Sequence, residues 1–140
     1  MPVFVDTNVL VFARDAGERN KQPQAQAWLE ELWRTRTGRL SLQVLSEFYV
    51  TVTRKLDPGL PPDEARADIR AFHAWRPVSA DEQMIEAAWS LEDRYSLSFW
   101  DALILAAARA AGCDRVLSED LSEGESYDGV VVVNPFRRQP

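Results

Sequence analysis

The sequence is poor in the residues that form disulfides, bind zinc or act as nucleophiles. Cys113 is the single cysteine and His73 the single histidine in 140 residues, which excludes an internal disulfide and leaves a zinc site short of ligands. His73 lies between Phe72 and Trp75 in a predicted helix, a place typical of a packed side chain rather than of a catalytic triad. Nucleophilic catalysis by a protein side chain is therefore not supported.

Nucleotide-binding loops and membrane spans are also missing. No Gly-x-Gly-x-x-Gly follows the first apolar run and no Gly-x-x-x-x-Gly-Lys-Ser/Thr occurs, so neither a dinucleotide site nor a P-loop is supported. No apolar run approaches the ~20 residues of a transmembrane helix, and the first apolar run begins too close to the N-terminus for a signal peptide. We therefore expect a cytoplasmic protein that does not span a membrane.

Length and composition predict one globular domain over residues 1–140. The hydrophobic fraction is 46% and the charged fraction 27%, close to the averages of folded soluble proteins. The net charge of −6 argues against a general nucleic-acid binder, which carries a basic face. Lys21 and Lys55 are the only lysines, and the arginines that make up the rest suit both phosphate and carboxylate partners. Charge alone leaves the partner open.

Strand and helix patterns alternate along the chain. Val3, Phe4 and Val5 form a wholly apolar run typical of a strand buried on both faces. Thr7 and Asn8, both good helix N-caps, precede a short helix. We predict further strands at 39–42, 76–79, 115–118 and 130–133, helices at 24–37, 43–55, 63–75, 81–95 and 99–111, a loop over 14–23 and a loose tail from about 136. This alternation predicts an α/β sandwich around a parallel sheet.

Four carboxylates occupy unusual places in this pattern. Asp6 and Asp120 follow predicted strands, where open α/β sheets form their sites. Asp101 is the only charge in the apolar run at 99–108, and Glu47 borders the apolar stripe of its helix. Each also has a structural explanation, as a helix cap, a turn residue or a solvated side chain. Gathered at one end of a sheet they would repel one another, and a divalent cation with oxygen ligands, Mg²⁺ or Mn²⁺, would relieve that repulsion.

Four short motifs in order resemble the acidic motifs of PIN domains, and most closely those of the VapC-type toxins. They are Val5-Asp6-Thr7-Asn8, Ser46-Glu47, Phe99-Trp100-Asp101-Ala102 and Leu117-Ser118-Glu119-Asp120, with Val133-Asn134-Pro135-Phe136 near the end. The resemblance implies a three-layer α/β/α fold with a five-stranded parallel sheet. It also implies a Mg²⁺- or Mn²⁺-dependent ribonuclease, the toxin of a type II toxin–antitoxin pair, which forms a homodimer and is held inactive by a small antitoxin.

The resemblance assigns the acidic positions to Asp6, Glu47, Asp101 and Asp120. Asp6 and Asp101 are expected to bind the metal directly, followed by Glu47 and Asp120. In that assignment water is the attacking nucleophile, and Glu47 or Asp120 positions it or holds a second ion. The RNA that is cleaved is not determined by any motif.

Neighbouring positions have supporting roles in the same assignment. Thr7 and Ser118 match hydroxyl positions that orient the acids or water. Glu119, directly before the fourth acid, departs from the family pattern and is an alternative for that role. Arg14, Arg19 and Lys21 follow the first helix and would either contact RNA phosphates or only solubilise their loop. These three basic residues are candidate RNA contacts.

Two other functions remain open at this stage. A receiver-like signalling domain is disfavoured, since Asp6 is a single acid after the first strand and no lysine follows Lys55. A PIN-like domain that binds RNA or protein without cleaving is compatible with the same residues, because an intact acid set is necessary for cleavage but not sufficient.

Overall fold

The computed structural model describes all 140 residues and contains six α-helices and five strands. The elements are β1 (Val3–Val5), α1 (Thr7–Arg14), α2 (Lys21–Thr35), β2 (Gly38–Arg39), α3 (Leu42–Arg54), α4 (Pro62–Phe72), a 3₁₀ turn (His73–Trp75), α5 (Glu82–Tyr95), α6 (Phe99–Ala110), β3 (Arg115–Leu117), β4 (Ser126–Tyr127) and β5 (Val130–Val133). None of the helices has the length and apolar character that crossing a bilayer requires.

The strands form one sheet in the order β2-β1-β3-β5-β4. β2, β1, β3 and β5 are parallel, with Val5 beside Leu117 and Leu117 beside Val133. The α/β fold and the five-stranded sheet are confirmed, with one difference. β4 runs antiparallel to β5, because Asp128 and Gly129 have φ of 50° and 90° and turn the chain between them as a two-residue hairpin.

The core lies where the apolar runs predict it. All three residues of β1 are buried, as expected of a central strand covered by helices on both faces. In α6, every residue from Ala102 to Ala108 is buried, so this helix packs on most sides. Because β1 and α6 are buried on most sides, neither has the alternation of apolar and polar residues that a half-exposed element shows.

Element boundaries differ from the predictions at the starts of α2 and α3. α2 begins at Lys21 because Pro23 is tolerated in a first turn, where backbone N–H groups lack helical partners. Ser41 accepts the Val44 N–H and starts α3, which leaves β2 only two residues long. The strand predicted at 76–79 is reduced to a single bridge between Val78 and Ser41.

The segment after β5 folds back onto the helices. Phe136 meets Phe12 edge to face with ring centroids 5.1 Å apart. The Trp28 indole N–H donates to the carbonyls of Pro135 and Arg138 at 3.1 and 2.9 Å. Where the sequence predicts a loose tail, residues 135–138 are thus tied to α1 and α2.

Candidate acidic site at the strand ends

The carboxyl ends of β1 and β3 bring Asp6 beside Ser118. Asp6 follows β1, Ser118 follows β3, and the register pairs Val5 with Leu117 immediately before them. The Asp6 backbone N–H donates to the Leu117 carbonyl at 3.0 Å. The Ser118 hydroxyl donates to Asp6 Oδ2 at 2.7 Å. Parallel strands therefore place two residues 112 positions apart in direct contact.

Asp6 is the buried charge of this site. Its side chain caps α1, accepting the Thr7 N–H at 2.7 Å, and only 7% of the residue is exposed. Burial raises the pKa of Asp6 to about 6, against the hydrogen bonds from Ser118 and Thr7, which lower it. The nearby charges of Asp120 and Glu47 raise it further. The cap role suggested for Thr7 or Asn8 thus belongs to Asp6.

Asn8 connects the two strand ends. Its Nδ2 donates to Asp6 Oδ2 at 3.2 Å, to Asp120 Oδ2 at 3.2 Å and to Ser118 Oγ at 3.4 Å. Its Oδ1 accepts the Glu119 backbone N–H at 3.2 Å. In the sequence, Asn8 is a capping candidate and the last residue of the Val5-Asp6-Thr7-Asn8 motif, without an assigned role. Its position two residues after Asp6, one turn of chain from the strand end, was the available signal.

Glu47 reaches the same site from α3. Its Oε2 accepts the Thr7 hydroxyl at 2.9 Å, and its Oε1 accepts the Gln43 amide at 2.7 Å. Because Thr7 directly follows Asp6, this contact holds an exposed carboxylate near the buried one. Thr7 and Ser118 therefore both occupy positions at which a hydroxyl orients an acid.

The neighbouring acids Glu119 and Asp120 point to different partners. Asp120 accepts from Asn8 and so joins the Asp6 group. Glu119 forms an ion pair with Lys21, whose Nζ lies 4.8 Å from the Phe12 ring centroid and 5.4 Å from that of Phe136. The hydrogen bonds favour Asp120 over Glu119 as the fourth acid.

Asp101 is not joined to the connected group by hydrogen bonds. It lies in the first turn of α6, half-buried, and its backbone N–H donates to the capping hydroxyl of Ser98 at 3.1 Å. Its carboxylate accepts no hydrogen bond from Thr7, Asn8 or Ser118, the donors that connect Asp6, Glu47 and Asp120. No three acids, histidines or cysteines of the chain are gathered closely enough to form a ready metal cage.

Two of the three candidate RNA contacts are engaged within the chain. Arg14 makes a two-pronged pair with Asp68 at 2.7 and 2.6 Å, and Lys21 pairs with Glu119. Arg19 is exposed and forms no ion pair. Arg19 is thus the one member of the set whose charge is not already matched.

The donor chemistry of the site fits a divalent cation. Its side-chain acceptors are carboxylate and hydroxyl oxygens, the ligands that Mg²⁺ and Mn²⁺ prefer. The charges of Glu47 and Asp120 disfavour ionisation of buried Asp6, and a cation would reverse that effect. Mg²⁺ commonly keeps several waters and uses one or two carboxylates, so a ready cage of three acids is not required.

Comparison with known proteins supplies a family. A sequence profile described as PIN domain matches residues 3–122. No curated protein matches the chain in sequence.

Several solved structures are similar over nearly the whole chain. A toxin–antitoxin complex from Klebsiella pneumoniae is 21% identical over 96% of this chain and 98% of its own, with a TM-score of 0.68. FitAB bound to an IR36 DNA fragment is 20% identical over 99% and 98%, with a TM-score of 0.75. At such identities these two show a shared fold alone. Mycobacterium tuberculosis VapC20, a toxin that cleaves the sarcin-ricin loop, is 26% identical over 84% and 91%, with a TM-score of 0.64.

Proposed function

The chain belongs to the PIN-domain family, and from that premise we propose that it is a Mg²⁺- or Mn²⁺-dependent ribonuclease, the toxin of a type II toxin–antitoxin pair. The similarity to VapC20, a toxin that cleaves an RNA loop, supports a nuclease. The observation that carries the proposal is the connected group of Asp6, Glu47 and Asp120 at the strand ends. A bound cation at this site would reconcile the acidic net charge of the protein with an anionic substrate.

In the proposed mechanism water is the nucleophile, and the Ser118 hydroxyl is not placed to attack. The Ser118 hydroxyl donates to Asp6 and accepts the backbone N–H groups of Asp120 and Leu121 at 3.1 and 3.3 Å. That hydroxyl is fully buried and its hydrogen-bonding capacity is used. Ser118 therefore orients Asp6 rather than attacking phosphorus.

Asp6 and Asp101 would hold the divalent cation, with Glu47 and Asp120 as further ligands. When bound, the cation lowers the pKa of water and neutralises charge on the phosphoryl oxygens. Glu47 is exposed and held by Thr7 and Gln43, which suits it to accept a proton from the attacking water. Asn8 holds Asp120 beside Asp6. Attack of water on phosphorus in this arrangement would leave RNA products with a 5′-phosphate and a 3′-hydroxyl.

An antitoxin and a second copy of the chain are the proposed protein partners. A groove of about 610 Å³ between α1, α2, α3 and α4 is lined by Leu10, Trp33, Phe48 and Phe72. Its apolar floor and the Arg14–Asp68 pair within it suit an amphipathic helix of an antitoxin. The structural neighbours include a toxin–antitoxin complex, which supports an antitoxin as a partner.

Cleavage of structured RNA by the purified protein tests the proposal. We expect cleavage with Mg²⁺ or Mn²⁺, none with EDTA, and none by Asp6→Asn or Asp101→Asn protein that retains the wild-type circular dichroism spectrum. Asp93→Asn, at an exposed position on α5, is the matched control and should cleave normally. Folded wild-type protein that binds but never cleaves RNA with metal present would instead support a catalytically inactive binding module.

A further inference from the structure

A second polar pocket lies away from the acidic site. It has a volume of about 320 Å³ and is lined by Arg36, Arg39, Arg76, Trp33 and Trp75, with one alanine. Its walls come from the end of α2, from β2 and from the residue that follows the 3₁₀ turn.

The sheet separates this pocket from the proposed cleavage site. β1 and β2 are parallel, and β2 begins at Gly38 beside Val3, the first residue of β1. Arg36 precedes β2, so it lies at the edge where the strands start. Asp6 follows β1, so the acids lie at the edge where the strands end. A ligand in the arginine pocket would thus not occupy the acidic site.

The pocket holds unmatched positive charge in a chain of net charge −6. Arg36, Arg39 and Arg76 form no ion pair, and all three line the same cavity. Arg39 donates to the backbone carbonyls of Gly38 and Arg36 at 2.8 and 3.3 Å. These bonds orient its guanidinium without neutralising it. Three like charges around one cavity favour an anion.

Backbone geometry holds two of the arginines in unusual conformations. Arg36 and Arg76 have φ of 59° and 55°, in the left-handed region that side chains other than glycine rarely adopt. Each ends its helical segment there, Arg36 after α2 and Arg76 after the 3₁₀ turn. Ser96 ends α5 in the same region, and what sets Arg36 and Arg76 apart is that both line the pocket.

Two tryptophans give the same pocket aromatic walls. Trp33 is 38% exposed and lies against Phe72 and Trp75, with ring centroids 5.6 and 4.9 Å away. Trp75 is 3% exposed, and its indole N–H is buried without any acceptor. Trp75 packs so closely on Gly38 that a Cβ there would lie 2.5 Å from the ring. Side-chain donors and exposed indole surface therefore line the cavity, and no carboxylate does.

We propose that this pocket binds single-stranded RNA, with a phosphate on Arg36, Arg39 and Arg76 and an adjacent base stacked on Trp33. Guanidinium forks pair with phosphate oxygens, and aromatic rings stack on bases irrespective of sequence. A free inorganic anion would use the arginines and leave the exposed indole unused. The identity of the polymer rests on the proposed ribonuclease function, whereas the anion-binding chemistry does not.

RNA binding by a charge-removing variant tests the pocket. The probe is a dye-labelled single-stranded RNA of ~10 nucleotides, about one short binding track, measured by anisotropy in EDTA so that it stays intact. We expect Arg36→Gln/Arg76→Gln to weaken binding at least tenfold. Its slope of log affinity against log salt should fall by about 0.7, since the pocket engages one phosphate and each phosphate contact on a single strand contributes about 0.7. Trp33→Leu should weaken binding about fivefold or more, through lost stacking.

Matched controls remove equal charge and aromatic surface elsewhere. Arg54→Gln/Arg70→Gln changes two exposed arginines without ion pairs, and Trp89→Leu changes an indole that is 49% exposed on α5. Both should bind RNA within about twofold of wild type. Wild-type RNA affinity in folded Arg36→Gln/Arg76→Gln protein would overturn the proposal, as would a loss confined to inorganic phosphate binding.

Failure of this proposal is distinguishable from failure of the ribonuclease proposal. If wild-type protein cleaves RNA and Arg36→Gln/Arg76→Gln protein binds RNA normally, the pocket proposal is wrong and the ribonuclease proposal stands. If wild-type protein binds RNA through these arginines but never cleaves it with Mg²⁺ or Mn²⁺, the pocket proposal stands and the ribonuclease proposal is wrong. For a cleaving enzyme, we expect the double variant to raise KM on long RNA with kcat unchanged.

Discussion

Ser118 donates a hydrogen bond of 2.7 Å to Asp6 Oδ2 across the adjoining ends of β3 and β1. Ser118 is fully buried and Asp6 almost so, so this bond links a neutral donor to a carboxylate shielded from water. Hydrogen bonds to charged groups are the stronger kind, and an unsatisfied buried partner is costly. The contact therefore both orients the central acid and stabilises the sheet edge that carries the site.

Replacing Ser118 should weaken the fold and raise the pKa of Asp6. Ser118→Ala removes the donor to Asp6 and the acceptor of two backbone N–H groups, so we expect a loss of about 2–3 kcal/mol in the free energy of unfolding. Because the Ser118 bond lowers the pKa of Asp6, the acid limb of the activity profile should move to higher pH. Urea denaturation and a pH–rate profile measure both effects. Ser46→Ala, an exposed change on α3, is the control, and an equal effect there would contradict the account.

Ionisation of Asp6 should destabilise the metal-free protein. Its pKa of about 6 in the fold lies above the value of 3.8 in an unfolded chain, so the folded state binds more protons between these values. The Asp6 contribution to the free energy of unfolding therefore falls as pH rises from about 4 through 6, by about 3 kcal/mol in all.

Comparison with Asp6→Asn isolates that contribution. In EDTA, Asp6→Asn should be more stable than wild type at pH 7.5 and show little difference at pH 4, as measured by chemical denaturation. Asp93→Asn, exposed and without ion pairs, should track wild type at both pH values. A constant difference between Asp6→Asn and wild type across this range would show that Asp6 is not desolvated as described.

Asn8 should be needed to keep Asp120 in the site. Asn8→Ala removes the amide that donates to Asp6 and Asp120 at 3.2 Å each. We expect RNA cleavage to fall about 10²-fold or more, a loss typical of misplaced catalytic groups, while thermal unfolding shifts by only a few degrees. Asn20→Ala, at a helix start where the side chain makes no capping bond, should cleave normally. Full activity in Asn8→Ala would exclude Asn8 as a positioning residue.

Substitution of the adjacent acids should separate their roles. Asp120→Asn removes a carboxylate that Asn8 ties to the Asp6 group, so cleavage should be lost. Glu119→Gln removes only the charge that pairs with Lys21, so cleavage should change by less than about tenfold, in line with the weak contribution of partly exposed ion pairs. Cleavage rates under single-turnover conditions compare the two. The reverse order of losses would make Glu119 the fourth acid.

The parts of the fold that sequence predicts are those with a strong local pattern. β1 and α6 have unbroken apolar runs, which indicate burial without any knowledge of the partners. β4 has two residues and no pattern, and its pairing depends on the turn at Asp128 and Gly129. Tertiary contacts determine where such short edge strands form. The hydrophobic periodicity of the sequence therefore does not predict them.

The same distinction applies to the candidate site. Asp6 is predictable because an acid directly after a buried strand marks a sheet edge. The ion pair of Lys21 with Glu119 joins residues 98 positions apart, and only tertiary packing brings them together. The gathering of Arg36, Arg39 and Arg76 around one pocket likewise depends on tertiary structure, because Arg76 lies 37 or more positions from the other two.

Calorimetric titration with Mn²⁺ tests the central claim, that acids distant in sequence form one divalent-cation site. We predict that wild-type protein at pH 7.5 binds Mn²⁺ and that Asp6→Asn and Asp101→Asn weaken binding at least tenfold, whereas Asp93→Asn has no effect. Each variant must retain the wild-type circular dichroism spectrum. Wild-type affinity for Mn²⁺ in folded Asp6→Asn protein would contradict the account.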